Sequence, residues 1–366
     1  MRRLRVAFMP MLPLENAATR AFCERPLPYL AEEGVDGVLM LPSGNRSYRL
    51  LLGRRNVLGK LAAAVYWYGI VLPRRLAQLT RACACDVVFV QRSLFRQGSP
   101  PVLEALVRLS RRRLVVHCDD AAYAVARPLW TRLRFRLAHL VLTGNRDLAA
   151  YAKRAGADVA ILPGAVELTR YRVREHRPRR PVVIGWTGHY PELLRPIVPA
   201  LARVCRDGEA IVHVVGDKPF AAPELGQALR WEHWSLERET ALFDGFDIGV
   251  MPLPNDEFSR GKEAFKIKEY MAAGLPVVAS PVGHNVHVVV HGVTGFLADD
   301  LDAWTGYLKL LVELAELRAE LGAAGRRVAE QRYSLPLHAR DLAAQLHALA
   351  ERAPALTAAA PRGGAS

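Results

Sequence analysis

The chain has 366 residues, 51% of them hydrophobic, with 50 Lys and Arg set against 36 Asp and Glu. That length is about twice a usual single domain, so two domains sharing a cleft are expected, and the apolar content excludes a disordered chain. The net charge of +14 suits nucleic acid, anionic lipid or a phosphorylated substrate, or simply a basic surface; nucleic acid is set aside, because no zinc-finger spacing and no basic run interleaved with stacking aromatics is present.

The opening MRRLRVAFMP is basic, but its apolar run covers only 6–10, too short for a secretory core, so no signal peptide is expected. Short Val/Leu/Ile-rich runs predict strands at 4–9, 37–41, 86–91, 114–117, 137–142 and 159–162, with helical patterns at 19–33, 58–82 and 101–110. Near-continuous apolar strands separated by helices imply parallel sheets covered on both faces. The five cysteines, Cys23, Cys83, Cys85, Cys118 and Cys205, are odd in number and scattered, and Cys83 and Cys85 stand too close for a CxxC pair. Free thiols in a reducing cytoplasm are expected.

The stretch 54–75, RRNVLGKLAAAVYWYGIVLPRR, has basic ends around an apolar centre with Tyr66, Trp67 and Tyr68. It is shorter in apolar length than the ~20 residues a spanning helix needs. It suits either a buried helix of the first domain or a helix lying at the inner face of a membrane.

At 167–181 the texture turns polar, basic and proline-containing, as in a linker. It divides a first domain, 1–166, from a second, 182–351, where strands are predicted at 182–186, 210–215, 248–251 and 277–279, followed by a helix-rich region at 301–350. The small-residue tail 352–366 is expected to be disordered. Two α/β domains on one linker place a ligand cleft between the carboxyl edges of two sheets.

Chemistry shows most clearly at 258–285, FSRGKEAFKIKEYMAAGLPVVASPVGHN. A helix over 262–273 is predicted, stopped by Gly274 and followed by a buried strand and the loop Pro281-Val282-Gly283. At about 100° per residue Lys262, Lys266 and Glu269 share one face, Lys268 points elsewhere, and Ala264, Ile267 and Met271 make the packing face. Two lysines near a helix start below Gly261 suit a diphosphate, and a carboxylate farther along suits ribose hydroxyls. The same spacing also fits a Lys–Glu pair on a solvated face.

This segment resembles the family 4-like retaining glycosyltransferases of the GT-B fold, in the subgroup whose donor motif reads roughly GKxxFKxxEYMAxGxPVVASPVG. DVVFVQR (86–92), VVHCDDAAY (115–123), VIGWTGH (183–189), VVGD (214–217), FDIGVMPLP (246–254), HGVTGFLA (291–298) and RYSLPLH (332–338) extend the resemblance over nearly the whole chain, in the family's order. It implies two Rossmann-like domains facing across a cleft, and transfer of a sugar, with retention of configuration, from a nucleotide-diphosphate donor to a saccharide, lipid-linked or small-molecule hydroxyl. Polysaccharide or glycoconjugate synthesis would be the setting. No cofactor and no metal is implied, because lysines would stand where another glycosyltransferase fold uses a DxD-bound ion.

Carried over by position, Glu269 matches the second glutamate of the family's E-x7-E signature, on the donor ribose. The first is replaced by Gly261, and Glu263 is out of register. Gly188 matches the glycine at which the backbone approaches the phosphates, but His189, Tyr190 and Pro191 follow it where relatives carry cations; Arg195 is the nearest, and Lys262 and Lys266 are expected to supply the charge. Trp234 and Ser235 fall where relatives meet the base, although a buried structural Trp would read alike, and Gly283 lies in the donor loop. Asp119 and Asp120, near His117, are the catalytic candidates, with helix capping as the alternative. Arg20 and Arg92 are candidates for acceptor or phosphate contact. A nucleotide-sugar binder without turnover and a UDP-sugar epimerase of the same fold are the rival readings.

Overall fold

The computed structural model describes residues 2–45, 57–124 and 128–352. Among them the chain forms two sheets of six strands, and every strand pairing is parallel. In the first sheet β1 (Leu4–Pro10), β2 (Val35–Leu39), β3 (Val87–Gln91), β4 (Arg113–Cys118), β5 (Leu140–Thr143) and β6 (Val159–Ile161) lie in the order β2-β1-β3-β4-β5-β6. The second runs β12-β11-β10-β7-β8-β9, from β7 (Val182–Gly188), β8 (Ala210–Gly216), β9 (Leu229–His233), β10 (Ile248–Met251), β11 (Val277–Ala279) and β12 (Gly295–Leu297). All residues of β3, β10 and β11 are buried, which is why these strands read as unbroken apolar runs.

Strand order reverses between β1 and β3 in one sheet and between β7 and β10 in the other. At such points the connections leave to opposite faces, so their loops part and open a crevice at the carboxyl edge.

Several boundaries differ from expectation. The strand placed at 137–142 starts at Leu140, because Leu137 closes the helix Pro128–Leu137. The helix placed at 19–33 is broken into Ala17–Thr19, a π-turn Arg20–Glu24 and Leu27–Glu32, with Asn16 capping the first piece. The helix at 58–82 is present as Val57–Ala64, a π-helical stretch Val65–Val71 and Leu72–Ala82. The tail from 353 onward and residues 54–56 of the basic-ended stretch lie outside the described residues.

The linker 167–181 is anchored rather than loose. Arg174 and Arg179 hold the two carboxylate oxygens of buried Asp247 at 2.8 and 2.7 Å, and the same carboxylate accepts the backbone N–H of Val183. The chain also crosses back: the helix Leu335–Glu351 packs Ala339, Leu342, Leu346 and Leu349 into the first domain's core beside Leu4, Val6 and Leu30. Where the two crossings meet, Val166 donates to the Tyr333 carbonyl and accepts from the Leu335 N–H.

Candidate active site in the interdomain cleft

One cavity lies between the two carboxyl edges, and residues past strand ends supply much of its wall. Asn16 follows β1, Arg92 follows β3, and Asp119 and Asp120 follow β4; from the second domain come Gly188 and His189 at the end of β7, Asp217 after β8 and Trp234 after β9. The rest of the wall includes the stretch 262–266 with Glu269, Ala21 and Phe22 of the turn after β1, and Glu239, Leu242 and Phe243. The topology alone thus gathers most of the residues that the sequence nominates.

The segment 261–272 is built differently from the uninterrupted helix expected over 262–273. A short helix, Glu257–Arg260, is capped by the Asp256 carboxylate, and the next helix, Phe265–Ala272, starts only after Ala264. Ala264 is buried with φ 54° and ψ 31°, a left-handed conformation that costs an alanine of order 1 kcal/mol. Lys262 therefore reaches the cavity from the connection, not from the helix face on which its angular position was calculated. Lys266 and Glu269 do lie on the helix, one turn apart. Lys268, expected to point elsewhere, is fully buried and donates to the Gly164 carbonyl at 2.8 Å.

This connection is also where the domains touch. Gly261 is pressed on Ala121, so that a β-carbon there would come 2.3 Å from the Ala121 methyl; the position of the family's first glutamate has no room for a side chain. The Lys262 carbonyl accepts from Asn145 Nδ2 at 3.1 Å. Glu263 inserts its carboxyl between Gly144 and Gly164 of the first domain, accepting the Gly164 N–H at 2.9 Å on Oε2, while Oε1 is buried without a partner. Burial drives the Glu263 carboxyl toward its neutral form, against the pull of Lys268.

The charges in the wall divide into committed and uncommitted. Arg92 chelates Asp119, with both bonds at 2.6 Å, and also reaches Asp120 at 2.7 Å. Burial would raise the Asp119 carboxyl, but the guanidinium outweighs it and holds it below the usual range. Arg92 thus bridges the two aspartates. His189 is paired with Asp217. Arg20 lies outside the wall and binds buried Glu239, its guanidinium 5.7 Å above the Trp234 ring, and Arg25 and Arg170 close on the same carboxylate.

No ion pair is formed by Lys262 or Lys266 among the described residues. Lys262 Nζ rests 4.4 Å from the centroid of Phe258, and Lys266 Nζ 5.6 Å from that of Trp186, directly over Gly188. Burial, then the neighbouring Lys262, pushes Lys266 down to about 8; burial lowers Lys262 as well. Two partly desolvated ammonium groups beside a glycine and a helix start make a setting that favours an anion. Beyond them Glu269 accepts from the Tyr171 hydroxyl at 3.0 Å, and burial, reinforced by Glu239, raises its carboxyl to about 7.

The cavity wall thus brings together Asp119, Asp120, Arg92, Gly188, His189, Trp234, Lys262, Lys266 and Glu269. It does not include Gly261, Ser235, Gly283, Arg20 or His117. Gly283 packs behind the site on the Arg260 backbone. His117 is a core residue between Phe22 and Phe89, pushed by burial down to about 4 and hence neutral. Sequence reasoning missed Glu239 and Tyr171, which have no local signature, and left Glu263 aside because it is out of register with the family motif. Among the described residues no group of three or more His, Cys, Asp or Glu side chains could hold a metal ion.

Residues 180–314 match the family described as glycosyl transferases group 1. By sequence the chain matches no curated protein. In fold it is similar to sucrose-phosphate synthase from Thermosynechococcus elongatus (TM-score 0.70, 15% identity, 94% of this chain and 100% of that one). It is similar also to HepE from Anabaena, solved in complex with UDP and glucose (TM-score 0.68, 17% identity, the same coverage). A glycosyltransferase from Rickettsia africae is a third (TM-score 0.67, 13% identity, 96% and 100%). The architecture is that of GT-B glycosyltransferases.

Proposed function

We propose that this chain transfers a sugar from a nucleotide-diphosphate donor to a hydroxyl of a saccharide, lipid-linked or small-molecule acceptor, with retention at the anomeric carbon. The observation that carries the reading is the pair Lys262 and Lys266, half-buried in the cavity wall and in no ion pair among the described residues, with Lys266 over Gly188 beside a helix start. HepE, with the same fold, was solved with UDP and with UDP-glucose, and a uridine diphosphate fits this charge arrangement.

In this reading the diphosphate lies on Lys262, Lys266 and the Gly188 backbone, the ribose hydroxyls meet Glu269, and the base lies toward Trp234. The lysines take up the negative charge that grows on the leaving diphosphate as the anomeric C–O bond lengthens. Asp119 and Asp120 against one Arg92 leave a net negative charge at the facing wall, which favours the positive character gained by the anomeric carbon. Arg92 occupies both oxygens of Asp119, so the acceptor proton goes to a leaving-phosphate oxygen on the face it vacates, and the protein contributes chiefly positioning.

A second reading, donor binding without turnover, is favoured by Gly261, where no carboxyl side chain fits. A panel of UDP-, GDP- and dTDP-sugars tests both. Thermal stabilisation together with release of the nucleoside diphosphate supports transfer. Stabilisation without release supports the binder, and no stabilisation by any donor overturns the site.

A further inference from the structure

We infer that the helix 57–82 docks the first domain on an anionic bilayer beside the mouth of the cleft. Its place in the fold is unusual. Arg75, fully buried, donates to the carbonyls of Pro10, Met40 and Leu94, at the carboxyl ends of β1 and β2 and just beyond β3. From there the helix runs back along the sheet to the start of β3. The residues before Arg75 therefore project past the sheet edge on the side where the cleft opens, over up to ~27 Å at the usual helical rise.

The inner side of this projection rests on two cleft-edge loops. Tyr66 shares a 2.9 Å hydrogen bond with Ser43, and Trp67 and Tyr68 set their rings edge-on to Phe95 at 5.5 and 5.4 Å. The outer side is left to solvent. Leu58, Leu61 and Val65 are 62%, 61% and 53% exposed, at steps of three and four residues that keep them on one stripe, with Tyr68, 55% exposed, at its edge. Residues 61–73 contain no charge, and exposed Lys60 and Arg74 stand at their two ends. Arg96 is exposed beside Phe95.

Charge decides what covers the stripe. Among residues 57–85 Lys60, Arg74 and Arg81 are exposed cations, and none is Asp or Glu. A protein partner or a second copy of this basic chain would gain little from such one-sided charge, whereas an anionic lipid surface meets both the cations and the apolar stripe. Tyr68 would lie at headgroup level. No described helix is long and apolar enough to cross a membrane, so this one lies on the surface. Docked so, the acceptor side of the cleft opens toward lipid and the acceptor hydroxyl is lipid-borne; that last step rests on the transferase reading, the docking itself does not.

Sedimentation with phosphatidylcholine vesicles, with and without phosphatidylglycerol, tests the docking on the full chain. Binding to the anionic vesicles is expected, about tenfold or more tighter than to phosphatidylcholine alone and weakened by salt. Leu61→Glu with Val65→Glu, at exposed positions, should abolish it while the thermal midpoint and UDP affinity stay as in the parent, which keeps loss of docking distinct from loss of the donor site. Lys60→Gln with Arg74→Gln should weaken binding to anionic vesicles only. Absence of binding to anionic vesicles at low salt overturns the inference, as does parental binding by the double glutamate variant. So does a dimer, seen by light scattering, that this variant dissociates.

Discussion

The side chain of Lys266 lies across the backbone of Gly188, so closely that a β-carbon at 188 would sit 2.8 Å from Nζ and 2.6 Å from Cε. Gly188 also has φ 151°, open to glycine and rarely to other residues. The end of β7 and the helix Phe265–Ala272 are therefore fitted to each other at one point. Gly188→Ala should displace the ammonium and strain the backbone. We expect UDP affinity to fall by about tenfold or more and stability by about 1–3 kcal/mol, from titration calorimetry and thermal unfolding.

Removing either lysine tests the anion site directly. Lys262→Ala and Lys266→Ala should each weaken UDP binding by about 1.5–3 kcal/mol, the range of hydrogen bonds to charged groups. The two changes should not add, because Lys262 depresses Lys266.

The depressed Lys266 gives the site a pH dependence with a definite sign. Its ammonium, with a pKa near 8, is charged below that pH and neutral above it, so donor affinity should fall as pH rises through about 8. Lys266→Arg, whose guanidinium stays protonated, should push that fall to higher pH. A flat profile for the parent between pH 7 and about 9 would contradict the assignment.

Glu239 gathers Arg20 and Arg25 of the first domain and Arg170 of the linker onto one buried carboxylate. Burial raises this carboxyl, but Arg25, Arg20 and Arg170 outweigh it, so its folded pKa lies below the usual value. Its stabilisation is then fully present above the unfolded pKa and is lost as pH falls through the lower, folded one. Glu239→Gln should cost about 3 kcal/mol or more at neutral pH, by leaving three guanidinium groups around a neutral amide, and progressively less in acid. Denaturant unfolding at neutral and acidic pH measures the difference.

Glu263 and Gly144 offer a matched pair. A β-carbon at 144 would lie 1.7 Å from Glu263 Oε1, so Gly144→Ala should destabilise by about 1–3 kcal/mol through overpacking. Gly144→Ala with Glu263→Ala should recover much of that. If the double variant is as unstable as the sum of the singles, the carboxyl is not what requires glycine at 144.

How much of this was legible beforehand follows from where the information lies. The buried strands were readable because a parallel sheet covered on both faces writes itself as an apolar run. β9, an edge strand with largely exposed residues in LRWEH, and β12, three residues long, leave no such run. The segment 258–285 was readable as a sequence motif, but not its geometry: nothing local in GKEAFK announces that Ala264 turns left-handed next to Glu263, whose carboxyl reaches two glycines 99 and 119 residues away. The Glu239 cluster joins side chains up to 219 positions apart and appears only once the domains face each other.

The two passages of the chain between domains run side by side, tied through Val166, Tyr333 and Leu335. A single tether would leave the lobes free to swivel about it. A paired strip resists torsion and yields mainly to flexing across its width, so the lobes should part along one fixed arc, as a bound book opens. The last helix, carried across that binding into the first lobe's core, makes each half incomplete without the other.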